Sequence, residues 1–413
     1  MVKQGYKQTE IGLIPNDWNI VSIEKLATDM SDGPFGSNLK KEHYTDDKQA
    51  RIIQLSNIGE NGWLDTNVKY TTFSHAKTIS RCIVNPGHII VAKMMPAGRA
   101  IICPSMEKMY VLGSDSIKLE LNATLVNTKY FMYSTKSSFF QTQIKEETQG
   151  STRARTSISK LRKNKVLLPS IEEQKRIAEA LSDVDSMISS LEKLITKKKA
   201  VKQGAMQELL TGKKRLPAFD GEWKSILLED VCVFYNGGTP SKKRSDWWNG
   251  CIPWISSSDL CENSITFVNI NRYITQDALD HSATRLCPKN AVLIVSRVGV
   301  GKVAVTPCEL CTSQDFTTIV SSAHNPYFLA YMLVPIMKDM AMQAQGTSIK
   351  GITVEDIAKI KISTPSLKEQ NQIVSILSDM DNEIEALEQK LTKTRQIKQG
   401  MMQQLLTGKI RLV

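Results

Sequence analysis

Two short motifs contain residues that could carry chemistry, and each lacks a part that the chemistry needs. Asn325-Pro326-Tyr327-Phe328 is similar to the Asn-Pro-Pro-aromatic motif of amino-methyltransferases, but it has no second proline and no Gly-x-Gly loop to hold S-adenosylmethionine. Gly299-Val300-Gly301-Lys302 has the lysine of a phosphate-binding loop without the earlier glycine or the following Ser or Thr. We interpret the first motif as the start of a helix and the second as a tight turn between two strands.

Patterns for metal binding and acid–base catalysis are also incomplete. Cys308 and Cys311 form the one C-x-x-C pair among eight cysteines, and a zinc site needs a second pair of ligands at suitable spacing. The five histidines do not cluster, which disfavours histidine-based proton transfer. We predict that the chain has no catalytic residue, no metal site and no cofactor, and that it is not an enzyme on its own.

The charge of the chain favours a polyanionic partner. Lys and Arg number 53 against 42 Asp and Glu, which gives a formal net charge of +11. No stretch is apolar over the roughly 18 to 20 residues that a membrane span needs, and the first residues lack the apolar core of a signal peptide. We expect a soluble, cytoplasmic protein that binds nucleic acid.

Basic side chains concentrate in and beside turns, where they could contact phosphates. Between Thr148 and Ile171 the sequence has six basic residues and no acidic one. The alternative for each candidate is an ordinary solvated surface charge. The candidate DNA-binding residues are Lys40, Lys41, Lys93, Arg99, Arg153, Arg155, Lys242, Lys243, Arg244, Arg297, Lys302 and Lys350.

The elements that position these residues are repeated within the chain. Residues 149–216 align with residues 345–412 at a constant offset of 196 and without a gap. The intervening segments, 18–148 and 223–344, share only a skeleton that begins with Trp18 or Trp223. The order is variable, constant, variable, constant, which predicts two domains of one fold with different surfaces, joined by near-identical connectors.

Each connector has the pattern of a long helix. Ser170 with Glu173, and Ser366 with Glu369, fit a capping box, and Gly212 and Gly408 fit C-caps. Apolar residues then recur at the a and d positions of a coiled coil, so each helix needs a partner, which is the other connector or a second copy of the chain. The seam residues are Ile177, Leu181, Val184, Ile188, Leu191, Ile195, Ile373, Leu377, Met380, Ile384, Leu387 and Leu391.

Several motifs in order now give the chain a family resemblance. The opening Gly12-Leu13-Ile14-Pro15 before Trp18, the segment Gly237-Gly238-Thr239-Pro240-Ser241, and the duplicated helices that close with Leu-Leu-Thr-Gly are characteristic. The sequence resembles the DNA-specificity (S) subunit of Type I restriction-modification systems over essentially its whole length.

The resemblance implies an α/β (α+β) fold with two target-recognition domains and an antiparallel coiled coil. The corresponding limits are 1–165 and 213–361 for the recognition domains and 166–212 and 362–413 for the helices. It further implies that each domain reads one half of an asymmetric, bipartite DNA site and that the coiled coil sets the gap. Two modification subunits would bind S-adenosylmethionine and methylate adenine at N6, and motor-nuclease subunits would use ATP and Mg²⁺. The DNA-contacting residues of the family vary with the target, so none is transferred to numbered positions.

Two other functions are compatible with parts of the pattern. One is a coiled-coil interaction scaffold without sequence-specific DNA binding, and the other is a self-contained methyltransferase, which the missing cofactor loop disfavours. The salt dependence of duplex binding separates the first from a DNA-reading protein, because phosphate contacts make affinity fall steeply with salt.

Overall fold

In the computed structural model the chain forms two units, and neither coincides with one repeat. Unit 1 consists of Met1–Leu191 and Lys390–Val413, and unit 2 consists of Glu192–Gln389. The structure describes residues 4–94, 96–148, 155–345 and 351–413. Both divisions fall inside the predicted connectors, so each unit contains a part of both.

Among the described residues, the first repeat has thirteen strands and five short α-helices before its connector. The strands are β1 (Tyr6–Thr9), β2 (Gly12–Pro15), β3 (Asn19–Ser22), β4 (Ala27–Asp32), β5 (Tyr44–Thr45), β6 (Ala50–Ile53), β7 (Tyr70–Thr71), β8 (Ile83–Val84), β9 (Ile89–Ala92), β10 (Ala100–Ile102), β11 (Tyr110–Leu112), β12 (Ser116–Leu121) and β13 (Lys165–Leu168). The helices are α1 (Ile23–Leu26), α2 (Phe73–Thr78), α3 (Thr128–Ser134), α4 (Ser138–Thr148) and α5 (Ile158–Lys163), and the connector is α6 (Ile171–Leu209).

The second repeat has a matching series of elements. Its strands are β14 (Lys224–Leu227), β15 (Val233–Asn236), β16 (Ile252–Ile255), β17 (Tyr273–Ile274), β18 (Leu286–Cys287), β19 (Val292–Val295), β20 (Val303–Val305), β21 (Leu310–Thr312), β22 (Phe316–Val320) and β23 (Lys361–Thr364). Its helices are α7 (Leu228–Val231), α8 (Gln276–Asp280), α9 (Pro326–Gln345), α10 (Val354–Ala358) and the connector α11 (Leu367–Leu405).

The two main sheets of each unit share one strand order, except that unit 1 has an additional edge strand, β5. Unit 1 has sheets ordered β10-β9-β12-β4 and β5-β7-β6-β11-β8, and unit 2 has β20-β19-β22-β15 and β17-β16-β21-β18. One parallel pair occurs at the same place in each, β6 with β11 and β16 with β21. The predicted α/β (α+β) class with an internal repeat is therefore confirmed.

A further strand pair joins the start of each recognition domain to its end. β3 pairs with β13, and β14 pairs with β23. The limits drawn from sequence at 165/166 and 361/362 fall within β13 and β23, and the long helices begin later, at Ile171 and Leu367.

Each unit has a main core in which connector residues pack against the recognition domain. In unit 1, Ile177 and Leu181 are buried with Trp18, Tyr130 and Leu405. In unit 2, Ile373 and Leu377 are buried with Leu228, Phe328 and Leu209. The first seam positions thus serve the globular core as well as the helix pair, because the long helices lie directly against the sheets' covering helices.

The connectors pair in antiparallel orientation within each unit, as the family resemblance implies. In unit 1, Asp185 of α6 bonds with Lys398 of α11, while Glu173 at the start of α6 bonds with Arg411 beyond the end of α11. In unit 2, Lys202 and Lys198 of α6 bond with Asp381 and Glu383 of α11.

Burial differs among the predicted seam residues. Val184, Met380, Leu387 and Leu391 are half-buried, and the others are buried.

The ends of the long helices follow the sequence signals in part. Ser170 Oγ and Ser366 Oγ accept hydrogen bonds from the amides of Glu173 and Glu369 at 3.2 and 3.4 Å. The reciprocal half of the capping box does not form, because both glutamates bind arginines instead. Gly212 and Gly408 have φ of +68° and +69°, the left-handed conformation expected of a C-terminal cap.

The two motifs tested first for chemistry are structural. Asn325 Oδ1 accepts from the amides of Tyr327 and Phe328, which makes Asn325 the cap of α9. Residues 299–302 form the turn between the antiparallel strands β19 and β20. Among the described residues no helix is both long enough and apolar enough to cross a membrane.

Candidate nucleic-acid interface

The candidate DNA-binding loop of unit 1 begins at Gly33, directly after β4, where its backbone lies against that of Gly113. A β-carbon on Gly33 would overlap the carbonyl oxygen of Gly113, so only glycine fits there. The loop then exposes Phe35 and both predicted lysines, Lys40 and Lys41. Lys40 has one loose ion pair, at 3.6 Å from Glu42.

Two stacked histidines hold this loop against α2. The rings of His43 and His75 lie 4.1 Å apart, and His75 Nε2 lies 2.9 Å from the carbonyl oxygen of Asn38. His43 Nδ1 accepts a hydrogen bond from the amide of Lys40 at 3.0 Å. The backbone that carries Lys40 and Lys41 is thus fixed while the side chains remain in water.

The corresponding loop of unit 2 leaves the end of β15 in the same way. A β-carbon on Gly237 would overlap the carbonyl oxygen of Ser313. Trp254 Nε1 donates to the carbonyl oxygen of Gly238 at 3.0 Å, and Trp248 packs edge-on against Trp254 with ring centres 5.0 Å apart. Lys242 and Lys243 are exposed beyond these anchors.

Arg244, the third predicted residue of this loop, forms ion pairs with neighbouring carboxylates. Its Nη2 lies 2.6 Å from Asp246 and 3.6 Å from Asp277, and its guanidinium lies 4.7 Å from the centre of the Trp247 ring. The hydrogen bonds that Arg244 donates to Asp246 raise the pKa of Arg244 and lower the pKa of Asp246. This arrangement offers little free positive charge to a phosphate.

The hairpin candidates divide into residues that serve the fold and one that is free to bind. Lys93 is 5% exposed and bonds with Asp32 at 2.7 Å, so this placement does not support a phosphate contact. Arg99 donates to the carbonyl oxygen of Ile58, and Lys302 donates to those of Ser257 and Leu260. Arg99 and Lys302 therefore hold the turns that follow β6 and β16, which are equivalent in the two units. Arg297 is exposed.

Arg297 lines a cavity beside the unit 2 loop. The cavity has a volume of about 680 Å³, and Asn236, Gly237, Gln314 and Thr317 also line it. Gln314 accepts a hydrogen bond from Thr239, which attaches this amide side chain to the loop that carries Lys242 and Lys243. Asn and Gln side chains are suited to reading adenine edges, and the carboxylate residue Glu355 also lines the cavity.

The last candidates lie before the long helices. Arg155 is half exposed, and its Nη2 lies 3.7 Å from Asp115. Arg153 and Lys350 lie outside the described residues.

A zinc site would need the cysteines to be grouped with further ligands. No group of three or more His, Cys, Asp or Glu in the described part of the chain is arranged to hold a metal ion. Burial raises the pKa of Cys311 to about 11, which keeps that thiol protonated.

Behind the loops, each recognition domain is attached to the connectors by a polar cluster that sequence reasoning missed. In unit 1 the hydroxyl of Tyr133 donates to Asp185 at 2.6 Å, and Lys398 bonds with the same carboxylate at 2.5 Å. Unit 2 repeats the arrangement with Tyr331, Asp381 and Lys202, the hydroxyl again at 2.6 Å from the carboxylate. Burial, and then the hydrogen bond to the aspartate, raises the pKa of both tyrosines.

A second attachment joins the start of one connector to the end of the other. Glu173 accepts from Trp18 Nε1 at 3.0 Å and bonds with Arg411 at 2.7 Å in unit 1, and Glu369 bonds with Arg215 at 2.8 Å in unit 2. The sequence does contain a signal for both attachments, because their charged residues are identical in the two repeats.

Comparison with known proteins identifies the family. Residues 15–203 and 220–397 match the Type I restriction modification DNA specificity domain. The chain is 25% identical over 337 residues to the type I restriction enzyme MjaVIII specificity subunit of Methanocaldococcus jannaschii, covering 74% of this chain and 75% of that protein. It is 31% identical over 188 residues to the EcoR124I/EcoR124II specificity subunit of Escherichia coli, covering 43% of this chain and 45% of that protein.

The fold has also been solved in a relative. The S subunit of a Type I restriction-modification system from M. genitalium superposes with a TM-score of 0.61 at 17% identity, covering 97% of each chain. With two matched domains, two recognition loops on one shared topology and paired connectors, this chain belongs to the family of Type I restriction-modification DNA-specificity subunits.

Proposed function

We propose that the chain reads an asymmetric, bipartite DNA site, with one half-site bound by each unit. The observation that carries the proposal is a shared scaffold with different contact residues. Both loops begin at a glycine held against a neighbouring backbone, but unit 1 presents Phe35, Lys40 and Lys41 while unit 2 presents Lys242 and Lys243 beside a cavity that Gln314 lines. Phosphate contacts position such loops, and the differing side chains select different sequences.

We further propose that the long helices set the gap between half-sites and that catalysis resides in partner subunits. Each helix has 39 residues, which at 1.5 Å per residue is about 58 Å, longer than the roughly 34–36 Å between half-sites one DNA turn apart. Two modification subunits would supply S-adenosylmethionine and methylate a flipped adenine at N6 in each half-site. Motor-nuclease subunits, which use ATP and Mg²⁺, would join for cleavage.

The test is a methylation map of a host that co-expresses the chain and its modification subunit. A split motif with one N6-methyladenine on each strand is the expected result. Stable assembly without methylation, with an intact partner active site, would instead favour the interaction scaffold.

The two loops can then be assigned to their half-sites. Lys242→Ala with Lys243→Ala should weaken binding to one half-site, and Lys40→Ala with Lys41→Ala should weaken binding to the other. Each pair should also reduce the slope of log affinity against log salt by about 1.8, which is about 0.9 for each lost contact. Lys289→Ala with Lys361→Ala, two exposed lysines of unit 2 outside the loop, is the matched control.

A further inference from the structure

Phe35 is the phenylalanine of unit 1 that the fold leaves in water. Its surface is 67% exposed, whereas the other four phenylalanines of the unit, Phe73, Phe131, Phe139 and Phe140, are buried or half-buried. Single apolar side chains are common on protein surfaces, and it is the surroundings of this ring that set it apart.

The backbone on both sides of Phe35 is fixed. Before the ring, the amide of Gly33 donates to the carbonyl oxygen of Ser116 at 3.0 Å. After the ring, the amide of Asn38 donates to the carbonyl oxygen of Phe35 at 2.8 Å, which closes the short 3₁₀ helix Gly36–Asn38. A ligand that contacts the ring therefore does not have to order the loop first, which lowers the entropy cost of binding.

The residues that follow Phe35 leave space for a flat ligand beside the ring. Gly36 comes directly after it, and a β-carbon on Gly36 would meet no atom within 4 Å. Ser37, the next residue, is small and exposed. The ring is thus accessible without the movement of a large neighbouring side chain.

The charge around the ring favours DNA as its ligand over the apolar surface of another protein. Residues 33–41 contain two basic residues, the exposed Lys40 and Lys41, and no acidic one. The carboxylates that flank this segment, Asp32 and Glu42, each pair with a lysine. Lysine is depleted in interfaces between proteins, whereas an aromatic ring beside basic side chains is typical of surfaces on which bases stack.

Unit 2 has a polar residue at the corresponding position. Counted from the glycines that begin the two loops, Gly33 and Gly237, Thr239 corresponds to Phe35. The hydroxyl of Thr239 donates to Gln314, so this side chain is bound within the unit. A contact with the base stack through this position would therefore occur in one half-site and not in the other.

We propose that Phe35 inserts between two base pairs of the half-site bound by unit 1. The proposal rests on the proposed function and adds to it a distortion of the DNA. An apolar side chain that enters the stack separates one base step and kinks the duplex. Pyrimidine–purine steps are the easiest to unstack, so we expect such a step at the contact. Unit 1 would then select part of its sequence through the deformability of the DNA, without hydrogen bonds to the bases at that step.

The experiment uses the full chain assembled with the modification subunit on a duplex that contains the mapped site. The probe is 2-aminopurine, whose fluorescence rises when it is unstacked, placed in turn at each purine of the unit 1 half-site except the methylated adenine. The wild-type complex should raise the fluorescence severalfold at one step. Phe35→Ala should remove this rise and weaken binding about tenfold, and Phe35→Leu, which keeps an apolar wedge, should retain part of both.

The matched control is Phe267→Ala in unit 2. Phe267 is 55% exposed and lies outside the loop that begins at Gly237. Its replacement should change neither the fluorescence nor the affinity. Because Phe35 is exposed, the unfolding temperature of the free Phe35→Ala chain should equal that of the wild-type chain.

The salt dependence of binding separates insertion from a supporting role for the lysines. Phe35→Ala removes no phosphate contact, so the slope of log affinity against log salt should stay unchanged. If Phe35 instead held Lys40 and Lys41 in place, the slope would fall by up to about 1.8, as in the double lysine variant.

Three results would contradict insertion. Wild-type binding without an unstacked step, a loss of affinity in Phe35→Ala that leaves the fluorescence unchanged, as a contact with a thymine methyl group would give, or a reduced salt slope would each overturn this inference alone. Failure of the wild-type complex to bind and methylate a split site would overturn the proposed function and this inference with it.

Discussion

Glu173 is a carboxylate with about 1% of its side chain exposed, and its charge is balanced by a single residue, Arg411, at 2.7 Å. Arg411 donates two hydrogen bonds to Glu173, and Trp18 Nε1 donates another at 3.0 Å. Arg411 also bonds with Asp17, and the hydrogen bond from Arg411 lowers the pKa of Asp17. A buried carboxylate of this kind adds little net stability by being present, but loss of its charge leaves the half-buried Arg411 less well paired.

Glu173→Gln should therefore reduce the free energy of unfolding by about 2 kcal/mol or more. Urea unfolding of the free chain measures the change. Glu172→Gln, on the adjacent residue with 68% of its side chain exposed, should change stability by less than about 0.5 kcal/mol. Equal effects of the two substitutions would contradict the role assigned to Glu173.

His324 gives unit 2 a dependence on pH. Burial lowers the pKa of His324 below its usual value of 6.5, and the ring lies 3.2 Å from Ser321 Oγ and 3.4 Å from Thr364 Oγ1. As pH falls through 6.5 the unfolded chain takes up a proton that the folded chain resists, so the contribution of His324 is complete above pH 6.5 and declines below it.

When the pH is lowered from 7.5 to 5.5, the unfolding temperature of the wild-type chain should therefore fall by more than that of the His324→Gln variant. Thermal unfolding at the two pH values measures the difference. His281→Gln, on an exposed residue of the same unit, should show the wild-type dependence. If His324→Gln and the wild-type chain respond equally to pH, His324 does not contribute to the pH dependence.

At the scale of the element, two glycines of α11 and its cap should respond in opposite directions to the same substitution. Gly400 is helical with open space around it, whereas Gly408 has φ of +69° and lies against Pro15 Cδ, which a β-carbon would approach to 2.5 Å. Gly400→Ala should stabilise the free chain by about 0.5–1 kcal/mol, and Gly408→Ala should destabilise it by about 1–3 kcal/mol. Denaturant unfolding measures both, and the same sign for both would show that the local geometry does not decide the outcome.

The elements were predictable where local sequence determines them. Apolar spacing and caps predict α6 and α11, and the offset of 196 predicts two similar units. The candidate site was less predictable, because residues distant in sequence decide whether a basic side chain is paired within the fold or exposed to a ligand. Lys93 bonds with Asp32, Lys302 with carbonyl groups more than forty residues earlier, and Arg244 with Asp277. No periodicity in the sequence reveals such partners, whereas Lys242 and Lys243 in their glycine-anchored loop are where the motif places them.

At the scale of the whole molecule, the proposed gap can be tested by lengthening both connectors together. Seven residues inserted after Leu191 and seven after Leu391 preserve the seven-residue seam and add about 10 Å to each helix. At about 3.4 Å per base pair, the gap should widen by about three base pairs while both half-site sequences stay the same. Methylation mapping measures the result. A seven-residue insertion after Ala218, an exposed residue between α6 and β14, should leave the gap unchanged, and altered half-site sequences would contradict the spacer role.

The division of the chain into units has a consequence for its synthesis. Unit 2 is one continuous segment, Glu192–Gln389, whereas unit 1 needs Lys390–Val413 to complete the core around Trp18 and Ile177. Because a ribosome delivers the chain from its N-terminus, the second recognition domain has all of its residues before the first one does. The first half of the protein must therefore remain incomplete on the ribosome, with apolar surface uncovered, until the last residues of unit 1 have been translated.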